Sequence, residues 1–201
     1  MSVSNTERYH HGDLRRALID RALDVIAADG TEAISVRALS RDIGVTHRAA
    51  AAHFSGKAGL VAAALAEGYD RLARKLEEAV AESVAHEADW KGGRLLRIGV
   101  AYGAFAREET ALFLAMNGAR VNEGGEHQEL EDALQRAFGR AIAAARADGF
   151  ADPEGAALHF WACLQGVLAQ SALGRIRINP EKWDEYVMLS AKRILFGLSN
   201  A

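Results

Sequence analysis

Apolar residues along this chain recur at intervals of three and four, and glycine or proline stands at most places where the pattern stops. That period lays an apolar stripe along a helix. Leu14, Leu18, Ala22, Leu23 and Ile26 trace a first helix over about Asp13 to Asp29, with arginines and aspartates outward. Gly30 stops it, because glycine enters the left-handed conformation at a helix end without a steric penalty. Ser35 caps a second helix through its hydroxyl, on which Val36, Leu39 and Ile43 share one face until Gly44. Val45 fills the corner, and Thr46 caps a third helix running through the alanines to about His53. Two short helices joined by about three to four residues form a helix-turn-helix.

After Phe54, Ser55-Gly56-Lys57 leads into a long helix whose stripe is Leu60, Ala64, Leu65, Tyr69, Leu72, Leu76 and Val80. It continues towards His86, and Lys91-Gly92-Gly93 breaks it. Arg94 to Arg107 is apolar over much of its circumference, which predicts a central helix. Ala111 to Ala119 follows, then a loop over Asn122 to Gly125. Glu126, Glu129, Glu131 and Asp132 crowd the start of the next helix, where negative charge suits the helix dipole, and that helix runs to about Asp148. Asp152-Pro153 and Asn179-Pro180 open the last two helices, to about Leu173 and Gly197, each with a capping side chain before proline. The fold class is all-α with about nine helices. A three-helix helix-turn-helix head over residues 1–56 precedes a larger helical domain over 57–201. Residues 1–7 lack periodicity and read as disordered. Arg8, His10 and His11 form a mildly basic arm, able to reach DNA or to serve as a plain tail.

Composition narrows this picture without changing it. At 201 residues and 50% hydrophobic content the chain can bury a real core in one or two domains. Only two prolines, with long alanine- and leucine-rich runs, favour helix throughout. No apolar run approaches the ~18 residues of a membrane span, and the polar N-terminus has no signal-peptide core. The single cysteine excludes an internal disulfide, so a cytoplasmic setting is expected. A net charge of −3 does not by itself point to nucleic acid. Up to Leu60 there are 8 basic and 7 acidic residues, leaving 16 and 20 of the totals of 24 and 27 for the remainder. DNA binding must therefore rest on where charges point.

In a helix-turn-helix the second helix enters the major groove and its first residues meet base edges. Here those residues are Thr46, His47, Arg48 and Ala49. Arg48 can make a bidentate contact with guanine, and His47 a hydrogen bond at a base edge or phosphate. The alanines keep the helix slim, and one methyl can face a thymine methyl. Lys57 adds a cation beside the free N–H groups that open the long helix. Ser35, Thr46, His53 and Lys57 are assigned to phosphates, His47 and Arg48 to bases, and Arg37 and Ala49 complete the DNA-facing set. A plain helical hairpin would explain the turn glycine alone equally well.

The flanking residues decide between these, because they resemble the TetR family of bacterial one-component repressors. The matching residues are Ala28-Asp29-Gly30, Ser35-Val36-Arg37, Gly44-Val45-Thr46, His53-Phe54, Lys57 and Leu60, within roughly residues 8 to 70. His10-His11-Gly12-Asp13-Leu14-Arg15, with His47 and His53-Phe54, is similar to the subgroup whose C-terminal domain carries a Trp-His-Gly signature. Alanines 51 and 52 stand where the family usually has a tyrosine, and the signature reads Trp161-Ala-Cys-Leu-Gln165-Gly166. The resemblance implies a repressor that binds a palindromic duplex operator as a homodimer and is released by a small molecule. It also implies that the helix starting near Lys57 carries ligand-driven motion to the head.

The larger domain is expected to bind that ligand and to dimerise. Tyr102, Phe105, Phe113, Met116 and Asn117, with Trp161 and Gln165 four apart on one face, mix aromatic walls with amides, which suits a small, mostly apolar ligand. Plain core would explain the aromatics, but a buried amide without a partner costs about 1–3 kcal/mol. Phe160, Leu164 and Val167, with Trp183, Val187, Ile194 and Leu198, form stripes that two copies can pair in a four-helix interface, unless the subunit's own core takes them. His159 and Cys163, also four apart, allow a thiol–imidazole pair, yet packing is the simpler reading of a lone cysteine. His86, Glu82 and Asp89 read more simply as a solvated face than as a metal site. No enzyme motif, cofactor or metal site is expected. The alternatives to a regulator are a helical small-molecule-binding protein without specific DNA binding and a thiol-dependent enzyme.

Overall fold

The computed structural model describes residues 11–81, 92–118 and 126–199. Nine α-helices and two 3-10 turns make up the described residues, with no strand among them. The head comprises α1 (His11–Asp29), α2 (Val36–Asp42) and α3 (His47–Ala51). The rest is α4 (Gly56–Ala81), α5 (Gly93–Glu108), α6 (Thr110–Gly118), α7 (Gln128–Ala147), α8 (Pro153–Ala172) and α9 (Trp183–Ser199). The all-α expectation holds, and the helix starts from α2 on fall within a few residues of those predicted, while the expected end of the long helix near His86 lies outside the described residues. The third helix is shorter than expected: α3 ends at Ala51, and His53 N–H turns back to the Ala50 carbonyl at 3.0 Å. The last helix opens with a 3-10 turn over Pro180–Lys182. Both proline caps form, Asp152 accepting from Gly155 N–H and Asn179 from Glu181 N–H. Arg8 and His10 of the basic N-terminal arm, the loop over Asn122 to Gly125 and the Glu82, His86 and Asp89 cluster lie outside the described residues, while His11 opens α1.

One buried apolar cluster runs from Leu14 in α1 to Leu195 in α9, so no solvent layer separates head from body. The long helix α4 belongs to both, packing on α1 and α2 and also on α5, α6 and α7. Its alanine-rich first half is buried almost all round, and Gly68 lets α6 approach: a Cβ there would lie 2.9 Å from Met116 Sδ. On its outer side α4 is tied to α7 by Arg136–Asp70 at 2.8 Å and Arg140–Glu77 at 2.9 Å. The central helix is α5, as its wide apolar face predicts. A Cβ at Gly99 would stand 2.7 Å from Phe160 Cζ, and one at Gly103 2.5 Å from Val187 Cγ1, so both glycines are set by the close approach of α8 and α9.

The start of α5 has an unusual cap. Gly92 offers no side chain, and Asp148, at the end of α7, supplies the missing acceptor across space. Its carboxylate accepts from the backbone N–H of Arg94 and of Leu95, both at 3.0 Å, and from the Arg94 guanidinium at 3.2 Å, with only 3% of the side chain exposed. Two otherwise orphaned first-turn donors are satisfied this way.

Candidate nucleic-acid interface and regulatory core

The helix-turn-helix forms as its capping residues dictate. Ser35 Oγ accepts from Ala38 N–H at 3.4 Å, and Thr46 Oγ1 accepts from Ala49 N–H at 3.2 Å. Gly44 sits at φ 74°, the left-handed region that its lack of a Cβ permits. The turn is braced by Ser40, buried at 1% exposure. Its hydroxyl donates to the Val36 carbonyl at 2.6 Å, and its own carbonyl accepts from Val45 N–H at 2.9 Å. With the turn fixed, Ser35, Arg37, Thr46, His47 and Arg48 are all exposed. Arg37, Arg41 and Arg48 are exposed and make no ion pair among the described residues, whereas Arg15, Arg16 and Arg21 on α1 are each paired with a carboxylate. A cation without an internal partner is one ready for phosphate or base.

Three members of the DNA-facing set need comment. Ala49 is half-buried and packs against the core, whereas Ala51 and Ala52 are exposed. The helical period turns position 49 inward between Arg48 and Ala50, which is fully buried. Lys57 is not idle. Its ammonium donates to the Glu32 carbonyl at 2.7 Å and to the Glu32 carboxylate at 3.3 Å, with side-chain exposures of 43% and 97%. It reaches the surface beside the head, tethered to the turn after α1. His53 is half-buried, its ring 6.4 Å from that of Phe54.

In the body, the proposed ligand-contacting residues split into two groups. Tyr102, Phe113 and Trp161 come together, but on each other: Tyr102 stacks on Trp161 at 4.6 Å and meets Phe113 edge-on at 5.6 Å. Phe138 of α7 joins them, 5.8 Å from Trp161, a member the sequence reading missed because its helix gave no aromatic pairing signal. Phe105 and Met116 are buried in the same core. Asn117 is half-buried, and its amide donates to the Phe113 carbonyl at 2.7 Å. The expected shortage of partners for that amide is therefore met by its own helix. Gln165 is half-buried and bonds to no described residue. Apart from this aromatic cluster, an open cleft of about 860 Å³ lies between head and body, walled by Glu32, Lys57, Val61, Leu114 and Glu126.

Tyr69 was read only as part of the α4 stripe, yet it ties α4 to this region. Its hydroxyl donates to the Met116 carbonyl at 3.1 Å. Burial, and then the charge of Glu131, push its phenol up to about 12. Burial raises Tyr102 still further, against the opposing hydrogen bond with Asn117. Both phenols are thus neutral at physiological pH, and Tyr69 donates from that state.

The expected dimer stripe is corrected. Phe160, Leu164 and Val187 are at most 1% exposed and pack against α5 within the subunit, so they are not available to a second copy. Trp183 is half-buried and donates its indole N–H to the Gly103 carbonyl at 3.0 Å, while Val167, Ile194 and Leu198 are half-buried too. The faces turned away from α5 carry different apolar residues: Leu158 at 57% exposure on α8, and Met188 at 39%, Leu189 at 43% and Phe196 at 70% on α9. Ala162 and Gly166 are exposed on the same side of α8 as Leu158, and nothing lies within 4 Å of a Cβ built at Gly166. Part of each sequence stripe is taken by the subunit's own core, because both faces of these helices are apolar and periodicity alone does not say which one the chain itself covers.

Cys163 is exposed, which overturns the reading of it as core packing. His159 is exposed as well, with Nδ1 2.7 Å from the Gly155 carbonyl of its own helix. No cluster of metal-ligating side chains occurs among the described residues, and no helix there is long and apolar enough to cross a membrane.

Comparison with known proteins bears on this geometry. Residues 18–64 match the family described as bacterial regulatory proteins, tetR family, and residues 95–192 match the tetracyclin repressor-like C-terminal domain. No curated protein matches the chain. A Rhodococcus sp. RHA1 protein of unknown function is 30% identical, with a TM-score of 0.76, covering 95% of this chain and 98% of its own. A TetR-family transcriptional regulator from Mesorhizobium loti MAFF303099 is 15% identical with a TM-score of 0.69, covering 94% of this chain and 98% of that one. The fatty acid degradation regulator FadR from Bacillus halodurans is 15% identical with a TM-score of 0.68, covering 90% and 94%. A capped helix-turn-helix with exposed arginines, joined by one long helix to an α-helical body and matched by both family domains, makes this chain a member of the TetR family of transcriptional regulators.

Proposed function

We propose that the chain is a dimeric repressor that binds a palindromic operator and leaves it when a small, mostly apolar molecule binds the body. The observation that carries the DNA-binding half is the set Arg37, Arg41 and Arg48, exposed without a carboxylate partner on a turn otherwise fully capped. In this reading Arg48 and His47 meet bases, while Ser35, Arg37, Thr46, His53 and Lys57 hold phosphates. The dimer forms through Leu158, Ala162 and Gly166 of α8 with Met188, Leu189 and Phe196 of α9, whose exposed apolar surface a second copy would cover. Two heads joined that way read half-sites one turn, about 34–36 Å, apart.

The ligand enters by parting Tyr102 and Trp161, with Gln165 as its hydrogen-bonding anchor. Its displacement of α6 reaches α4 through the Tyr69–Met116 bond. A ligand preferring the released form 100-fold supplies about 2.7 kcal/mol of coupling per site. A helical binding protein without DNA affinity would have no use for unpaired arginines on the turn. Selection of bound sequences from random duplexes, with and without a metabolite extract, tests the reading. Enrichment of a palindrome that the extract abolishes supports it; no enrichment of any sequence contradicts it.

A further inference from the structure

The guanidinium of Arg15 joins the head to the body. It leaves the first turns of α1, and its Nη2 stands 2.5 Å from Glu129 Oε2, in the first turn of α7. Its Cζ is also 5.5 Å from the centroid of the Phe54 ring. Phe54 closes the helix-turn-helix unit, three residues past the end of α3, and is buried at 7% exposure. One cation therefore touches both the element that carries the recognition residues and the helix that packs most extensively on α4. Close by, Arg16 pairs with Glu67 of α4 at 3.0 Å, and Arg136 of α7 holds Asp70 of α4 at 2.8 Å. In this way α7 is fastened to α4 directly and to the head through Arg15.

We propose that Arg15 is a positioning residue for DNA recognition: it fixes the orientation of the head on the body and hence the spacing between the two heads of a dimer. The inference rests on the dimeric operator-binding reading above. The residue type is matched to the task. A guanidinium lies flat on an aromatic ring while its edge bonds a carboxylate, whereas a lysine ammonium offers one point charge and cannot do both at once. Shifting α7 would pull Glu129 away from Arg15 and release the ring of Phe54, turning the recognition residues without unfolding the head. Arg15 contacts Phe54 and α7 at once, so loss of either partner should loosen the same angle.

The test uses full-length protein and duplexes carrying the selected half-sites with the spacer lengthened or shortened by one and two base pairs. Wild-type protein should prefer one spacing over its neighbours by about tenfold, since two rigidly held heads fit only one phase of the helix. Arg15→Ala and Glu129→Gln should flatten that preference to within about threefold while affinity for a single half-site changes less than about twofold. Arg15→Lys should fall between, keeping the carboxylate and losing the ring. Retention of the wild-type spacing profile in Glu129→Gln and in Arg15→Ala would overturn the role of Arg15 alone; the glutamine variant, isosteric and on the surface, covers the case in which Arg15→Ala unfolds. Absence of any spacing preference in the wild type would instead overturn the dimeric operator reading, and this inference with it.

Discussion

Replacing Glu32 by glutamine removes the carboxylate that Lys57 holds at 3.3 Å but leaves the carbonyl contact at 2.7 Å in place. If Lys57 grips a phosphate, DNA binding exchanges one anion for another at the same ammonium. The magnitude follows from exposure: with 97% of the Glu32 side chain and 43% of that of Lys57 in solvent, the pair is screened, and breaking it shifts an equilibrium by no more than about fivefold. Glu32→Gln should therefore tighten operator binding about two- to fivefold. Lys57→Ala should weaken binding to all sequences and lower the salt slope by about 0.9. Removing a negative charge near DNA also helps at long range, so the double variant separates the two effects. Fluorescence anisotropy across a series of salt concentrations measures all four proteins. At least half of the gain from Glu32→Gln should vanish in the Lys57→Ala background. A weaker Glu32→Gln protein, or the same gain with and without Lys57, would refute competition at this lysine.

Asp148→Ala should lower unfolding free energy in urea by about 2–4 kcal/mol, because two first-turn donors of α5 lose their buried acceptor; Asp148→Asn should recover part of it. Tyr69 keeps its proton to about 12 when folded, against an ordinary value of 10.0. As pH rises the unfolded chain loses that proton first, so the stability it confers is complete below pH 10 and is lost towards pH 12. The loss amounts to about 2–3 kcal/mol, and Tyr69→Phe should remove that part of the alkaline fall seen by chemical denaturation. Phe196→Glu should yield a folded monomer in sedimentation at micromolar concentration, whereas Phe160→Ala should keep the dimer and cost about 3–5 kcal/mol of stability.

Helices were legible where one apolar stripe and a capping residue agreed. Ser35, Gly44, Thr46, Asp152 and Asn179 marked their termini correctly because capping is a local interaction, settled within a few residues. Surface assignment was harder. On α8 and α9 both faces are apolar, so the side of the stripe through Phe160 was open until α5, with glycines at 99 and 103, showed that it lay against the core. Asn117 looked short of a partner only because a bond to a carbonyl four residues earlier in its own helix leaves no mark on composition. Asp148 and Arg15 act across 53 and 114 residues of chain, and no periodicity reaches that far. Their types were visible, but their partners were not. Cys163 was misplaced by the general tendency of free cysteine to be buried, which α8 overrides by turning it to solvent.

The central claim is that the exposed face of the helix-turn-helix reads a specific duplex, and one titration tests it most directly. Wild-type protein and Arg48→Ala are titrated at fixed salt against the selected palindrome and against variants changed at each base pair of one half-site. The wild type should discriminate at several positions, and Arg48→Ala should lose about 1–3 kcal/mol on the palindrome while becoming indifferent at one base pair. Equal affinity of the wild type for every duplex, or an Arg48→Ala profile identical to that of the wild type at all positions, would contradict it.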